Sequence, residues 1–581
     1  MTDRLYSVSD DFITMSQRGA GSQPPVDHFD LEGVQKTALT TARARLGFLM
    51  AGFVVLYGVF AVRLFSLGME AGVVPEKPEN FVAKHTPIIA EKKFARKDIL
   101  DRNGEILATT LEVSSLSVNP KKVDDPDRLA ERIVAIVPDL GLATVRRILS
   151  KNTHYARLHS KLTPSQAYRV NALGDPALKL ERREQRIYPQ GKLASHVLGF
   201  VNVDGQGLAG VEHFMNDRLS AGDGQEDAIH LSIDMNVQHA LTNELNEAKN
   251  AFDAIGAAGM IMDVNTGELL ALASLPDYDP NMGRQATAEQ KRNRATKSLY
   301  ELGSTMKTFT FAAAFEEGLV QMADRFDATK PLRIDGFTIH DDHPQKRVLT
   351  VPEVFIYSSN IGTTHIADLL GSERQQAFLK KLGLMDRASL ELTEVASPLL
   401  PRRWSDAARA TVSYGHGISL SPLHLVGGIS AMVNGGMLRK PTLMKISGRP
   451  AGEQVISRHT SSQIRKLLRM TVTEGTGRKA NAKGYRVAGK TGTARKVVKG
   501  QYSRKHTVSS FVATFPVDDP KYVVFVLLDE PKGYLNSGGM AAAPVVQHVV
   551  RRTAPMLGIA PKEEDSSPYQ KLSYLISKEG R

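Results

Sequence analysis

The chain has no cysteine in 581 residues. That excludes a disulfide framework, a thiol nucleophile and any thiolate-bound metal. No H-E-x-x-H or comparable ligand spacing occurs, and His196, His365 and His416 each stand isolated, so no catalytic metal is expected. No glycine loop of Walker or Rossmann spacing stands out, and no cofactor is expected. Internal repeats are missing as well. What remains is ordinary globular material, 42% hydrophobic and 23% charged, long enough for several domains.

Two local absences carry more information. The first is charge between Leu46 and Val62, an apolar run of membrane-helix character. Arg63 interrupts it, but its long side chain can snorkel to the headgroups, which extends the span to Leu67. A buried core helix would rarely be so uniformly apolar beside a polar N-terminus. A cleaved signal peptide would have a shorter leader than residues 1–45. The expectation is an uncleaved signal anchor over 46–67. Lys36, Arg43 and Arg45 precede it, while Glu70, Glu76 and Glu79 follow. The excess of cations on the N-terminal side predicts a cytoplasmic N-terminus, with everything after the span outside.

The second absence is acid between Arg478 and Lys505. Ten Lys or Arg residues lie there with no Asp or Glu, within a chain of net charge +12. Few aromatics interleave with them and the run lies beyond the membrane, so nucleic acid is a poor partner. Clustered cations hold carboxylates, and an anionic substrate fits better. Most of the run reads as a solvated basic loop, with Lys490 the exception because it sits inside a motif.

Three short motifs point to acyl transfer. Ser304-Thr305-Met306-Lys307 opens a helical stretch that ends at Gly318 and is apolar nearly all round after Lys307. Ser304 and Lys307 are three residues apart and share a face. A lysine buried there favours its neutral amine, the form a general base requires, and the serine gains from the positive end of the helix. Taken alone, this motif could equally be a capping serine followed by a snorkelling lysine. Ser358-Ser359-Asn360 follows an apolar helical stretch. Ser358 can relay a proton to a leaving amine, and Asn360 offers an amide to a peptide backbone. Lys490-Thr491-Gly492-Thr493 lies on an expected strand, whose edge can bind a peptide by β-addition. Gly492 allows close backbone approach. Lys490, Thr491 and Thr493 suit a terminal carboxylate, and the Thr493 N–H could join that of Ser304 as an oxyanion hole.

The expected organisation is α+β. Residues 1–45 are a polar N-terminal segment, 46–67 the anchor, 68–228 a non-catalytic domain of short strands and helices, 229–560 the motif-bearing domain and 561–581 a tail. In the non-catalytic domain, Asp101 to Gly104 reads as a tight turn between strands and 126–150 has helical spacing. In the motif-bearing domain, Ala257–Asp263 and Leu269–Ser274 form a hairpin pattern. A helical insert, three adjacent antiparallel strands and a closing helix at 543–557 follow, which gives a five-stranded antiparallel sheet flanked by helices.

In this order the three motifs match the serine-acylating site of penicillin-binding proteins and class A β-lactamases. Longer segments narrow the match. Arg96 to Ala108, Arg186 to Gly199, Gly205 to Glu212, Asp263 to Asn281, Tyr414 to Gly417 and Glu474 to Gly477 resemble a class B penicillin-binding protein, the division-specific peptidoglycan D,D-transpeptidase of Gram-negative bacteria above all. The resemblance implies an elongated pedestal behind a transpeptidase domain. Ser304 would attack the D-Ala-D-Ala bond of a stem peptide and release D-Ala, and the acyl group would pass to a neighbouring stem. Penicillins would acylate the same serine. The implied partners are a SEDS-type glycan polymerase and other divisome proteins, at the septum of the inner membrane. Leu302, Lys97 and Tyr357 depart from the usual family pattern without removing a reacting group. Two other readings stay open: a hydrolase, either a β-lactamase or a D,D-carboxypeptidase, and a non-catalytic β-lactam sensor or divisome scaffold.

Overall fold

The computed structural model describes residues 32–70, 96–220, 228–498 and 500–562, in two compact units. Among the described residues the first unit is one helix, Glu32–Glu70. Within it, Arg45–Ser66 is long and apolar enough to cross a membrane. The helix begins well before the apolar run, inside the segment read as a polar N-terminal stretch. Residues 32–45 include Ala38, Ala42, Ala44, Arg43 and Arg45, good helix formers.

The second unit starts with a mixed lobe. The long strand Ile106–Val118 pairs antiparallel with Asp98–Leu100, Ala156–Leu162 and Leu178–Ile187. Asp101 makes the turn between the first two strands, accepting the Asn103 and Glu105 N–H groups at 2.7 and 2.9 Å, while Gly104 takes a positive φ of 92°. The expected helical stretch at 126–150 is two helices, Pro126–Ile136 and Leu142–Leu149. Pro138 and Gly141 separate them, because neither residue sustains a helix interior. Leu116, Leu129, Ile133, Leu149 and Val170 fill this lobe's own core.

The catalytic sheet has five strands: β1 (Gly256–Asp263), β2 (Leu269–Leu275), β3 (Ala488–Val498), β4 (Gln501–Phe515) and β5 (Tyr522–Asp529). The order is β3-β4-β5-β1-β2, all antiparallel. β1, β2 and β5 are buried on both faces, which explains continuous apolar runs such as YVVFVLLD in place of alternation. Helices Met235–Ala251 and Ala543–Met556 cover one face. The helical insert covers the other, in a core that includes Phe309, Phe311, Phe355, Phe525 and Leu527. That core also takes in Ile99, Leu107 and Val197 from the first lobe, so the base of the lobe and the catalytic region are packed as one body. β3 ends the sheet, and its outer edge faces the turn that carries Ser304.

Candidate active site

The first motif begins in a tighter turn than expected. Gly303–Met306 is a 3₁₀ turn, and the α-helix runs from Lys307 to Glu316. The Lys307 N–H donates to Ser304 O, so the two residues stand one 3₁₀ turn apart. In this geometry i and i+3 nearly eclipse, which stacks serine above lysine more directly than an α-turn would. Thr305 Oγ1 donates to Leu302 O at 2.9 Å and steadies the turn. Gly318, with φ of 66°, ends the helix as expected.

Glycine brings this turn against β3. A Cβ on Gly303, whose φ is 55°, would lie 2.5 Å from Thr493 O and 3.3 Å from Thr493 N. A Cβ on Gly492 would lie 2.6 Å from Leu302 O. The strand edge and the serine turn therefore approach in a way no side chain permits. The Thr493 backbone is beside Ser304, where a pair of N–H donors could meet a developing oxyanion.

The second motif is a hub. The helix Val351–Ile356 opens with a Thr350–Glu353 capping box, and Ser359 caps the next helix, Asn360–Lys381. Between them Ser358 takes φ of 62°, a left-handed conformation that costs a non-glycine residue about 1–3 kcal/mol and clusters at functional sites. Its Oγ lies 3.1 Å from Lys307 Nζ and 3.0 Å from Lys490 Nζ. Lys307 Nζ also donates to Ser358 O and, at 2.8 Å, to Asn360 Oδ1. The Asn360 amide donates to His340 O at 2.9 Å, so both of its ends are used within the protein. Asn360 thus holds the lysine, and its amide keeps a second N–H beyond the one given to His340 O. Ser304, Ser358, Thr491 and Thr493 line one cleft of about 280 Å³. Thr493 Oγ1 accepts the Gly538 N–H at 2.9 Å, which leaves its proton available to a ligand.

Lys307 and Lys490 are both fully buried, and among the described residues neither ammonium has a carboxylate in ion-pair reach. Burial brings Lys307 from the usual lysine range down to about 7, against the pull of the Asp341 and Asp342 carboxylates. Burial and the neighbouring Lys307 charge push Lys490 well below its ordinary value. Two ammonium groups facing one hydroxyl in a desolvated site resist being charged together. As a free amine Lys307 can give two protons, to Ser358 O and Asn360 Oδ1, and still accept one.

Some parts of the site carried little signal in the sequence. Asp341 accepts Ser359 Oγ at 2.8 Å and the Ile361 N–H at 3.0 Å, and so supports the second motif from a loop with no distinctive pattern. Thr476, within the Glu474–Gly477 segment, lies 3.0 Å from Thr491 Oγ1. His196 lies far along the chain from the motifs and binds the Gln290 carbonyl at 2.8 Å. His416 packs edge-on to Tyr502 beside the Gly303–Gly415 contact.

Comparison with known proteins agrees with this geometry. The family profile of the penicillin binding protein transpeptidase domain matches residues 257–551, and that of the penicillin-binding protein dimerisation domain matches 92–239. The chain is 41% identical over 487 residues to the probable peptidoglycan D,D-transpeptidase FtsI of Caulobacter vibrioides, covering 81% of this chain and 82% of that one. It is 30% identical over 548 residues to the peptidoglycan D,D-transpeptidase FtsI of Escherichia coli, covering 88% and 92%. The crystal structure of penicillin binding protein 3 from Mycobacterium tuberculosis in complex with aztreonam superposes with a TM-score of 0.64 at 26% identity, covering 81% of this chain and 97% of that one. With the sheet, the three convergent motifs and these matches in place, the chain belongs to the penicillin-binding protein transpeptidases, in the class B group that includes the division enzymes.

Proposed function

We propose that this chain is the peptidoglycan D,D-transpeptidase of cell division and a target of β-lactams, with Ser304 as nucleophile. One observation carries the reading: the buried amines of Lys307 and Lys490 converge on the Ser358 hydroxyl, in the cleft lined by Ser304.

The stem peptide of the donor lies along the β3 edge, and its terminal carboxylate meets Lys490, Thr491 and Thr493. That carboxylate stabilises the Lys490 ammonium, and the ammonium in turn keeps Lys307 neutral. Lys307 takes the Ser304 proton as Oγ attacks the penultimate D-Ala carbonyl. The N–H groups of Ser304 and Thr493 hold the oxyanion. The C–N bond breaks, and the leaving D-Ala takes a proton through Ser358. In the second half-reaction an amine of a neighbouring stem attacks the acyl carbon, the C–Oγ bond breaks and the amine's surplus proton returns to Ser304. Gly492 gives the donor backbone room, while Asn360 holds Lys307 in place.

The anchor and the charge on its flanks support a cytoplasmic N-terminus and a periplasmic catalytic domain in the inner membrane, at the septum. The family resemblance supports a SEDS-type glycan polymerase and other divisome proteins as partners. Labelling membranes with a reporter penicillin tests the chemistry. The wild type is expected to form a covalent adduct and Ser304→Ala none, while equal labelling of both would rule the nucleophile out. Cross-linked product from the wild type and stem hydrolysis alone would separate transpeptidase from carboxypeptidase.

A further inference from the structure

The basic stretch from Arg478 to Lys505 is not one surface. Arg486 is tied to Asp518 at 2.7 Å, and Lys496 to Asp529 and Glu530 at 2.6 and 2.8 Å. Lys490 is buried just beneath the cleft lining, with its Nζ on the Ser358 hydroxyl. Arg478 and Lys479 differ from all of these. Both are exposed, neither has an acidic partner among the described residues, and both line the cleft that holds Ser304.

They occupy a short 3₁₀ turn, Arg478–Ala480, fixed from beneath. Ala480 is fully buried, and a Cβ on Gly477 would meet the Phe511 ring at 3.1 Å. The cleft thus has two cationic levels. The Thr491 and Thr493 hydroxyls, with the buried Lys490 amine beneath them, form the level beside Ser304, and Arg478 with Lys479 forms the second. Thr476, 3.0 Å from Thr491, is the step between them. About 280 Å³ is more room than one departing alanine fills.

Aminolysis of the acyl-enzyme is the reverse of the cleavage that released D-Ala, with a different amine. The incoming amine therefore enters along the path the leaving amine took. We propose that Arg478 and Lys479 form an acceptor subsite, which binds a carboxylate of the incoming anionic peptide whose amine attacks the acyl group on Ser304. This rests on the transpeptidase reading above and names which end of the cleft serves the second substrate. An arginine fork and an ammonium suit a carboxylate that is not held in the Lys490 pocket. Exposed charge contacts are individually weak and screened by salt, so the two together are expected to change acceptor use about ten-fold.

The test gives the full-length protein in detergent a small N-acyl-D-alanyl thiolester as donor. Two acceptors are compared: D-alanine, with one carboxylate beside its amine, and a synthetic stem tripeptide with further carboxylates. Mass spectrometry reads the ratio of aminolysis to hydrolysis. In Arg478→Ala/Lys479→Ala the ratio for the tripeptide is expected to fall about ten-fold, while transfer to D-alanine and reporter-penicillin labelling stay within about two-fold. Added salt should lower the tripeptide ratio in the wild type and leave that of the double variant flat. Lys479→Glu alone should lower the tripeptide ratio and spare D-alanine. No loss for the tripeptide, or an equal loss for both acceptors, would overturn the subsite. A wild type that labels with penicillin but transfers to neither acceptor would overturn the transpeptidase reading itself.

Discussion

The molecule buries charge in two places, in opposite ways. In the first lobe Glu212 is fully buried between two arginines, with Arg96 Nε at 2.6 Å and Arg186 Nε at 2.7 Å. Arg96 further donates to Gly205 O, Asn216 Oδ1 and Ser220 Oγ, and Tyr188 O–H to Glu212 at 3.3 Å. In the cleft region Lys307 and Lys490 are just as buried but face hydroxyl, amide and carbonyl groups, and among the described residues no carboxylate is in ion-pair contact with either. The first cluster sets opposite charges against one another and serves structure. The uncompensated pair is pushed toward its neutral forms, and a neutral buried amine is a base. The presence of a counter-ion, more than burial, separates the structural cluster from the reactive one.

Removing the reactive amine should have the largest effect. Lys307→Met is expected to slow penicillin acylation by about 10²–10⁴-fold, the span of general-base contributions, measured by stopped-flow labelling. Next comes Glu212→Gln, which leaves two guanidinium groups buried without a counter-ion. It should lower stability by about 3–5 kcal/mol in chemical denaturation, with the labelling rate of the remaining folded protein little changed. A large loss of stability from Lys307→Met together with a small one from Glu212→Gln would invert the comparison. A smaller effect is the pH dependence. The neutral form of Lys307 is the active one and its pKa is about 7, so wild-type acylation should rise as pH increases through about 7 and fall below it. The smallest effect concerns Asp341, whose charge raises the Lys307 value. Asp341→Asn should move the midpoint of that profile to lower pH, and a shift to higher pH would contradict the assignment.

The catalytic region was legible in the sequence because its signals are local. Strands β1, β2 and β5 announced themselves as apolar runs bounded by turns, β3 was placed by the motif it carries, and Gly318 marked a helix end. Ser304, Lys307, Ser358 and Lys490 were readable because their motifs fix residue types at short spacing. What could not be read depends on contacts between distant segments. The 3₁₀ start at Gly303 follows from β3 pressing on the turn, which no window around residue 303 contains. The bond from the Asn360 amide to His340 O could not be read, because His340 lies on a loop without periodicity. The basic stretch from Arg478 to Lys505 looked uniform, and only the fold sets the ion-paired Arg486 and Lys496, the buried Lys490 and the cleft-lining Arg478 and Lys479 apart from one another. In the first lobe Pro138 and Gly141 were visible but were outweighed by the helical spacing around them.

Titration of the Lys307 side chain itself tests the uncompensated amine most directly. In Ser304→Ala protein labelled with ¹³C-lysine, its resonance can be assigned by its loss in Lys307→Met. A neutral base requires the ε-carbon shift to titrate with a midpoint near 7. A midpoint near the ordinary lysine value of 10.5 would mean that Lys307 stays protonated and cannot accept the serine proton.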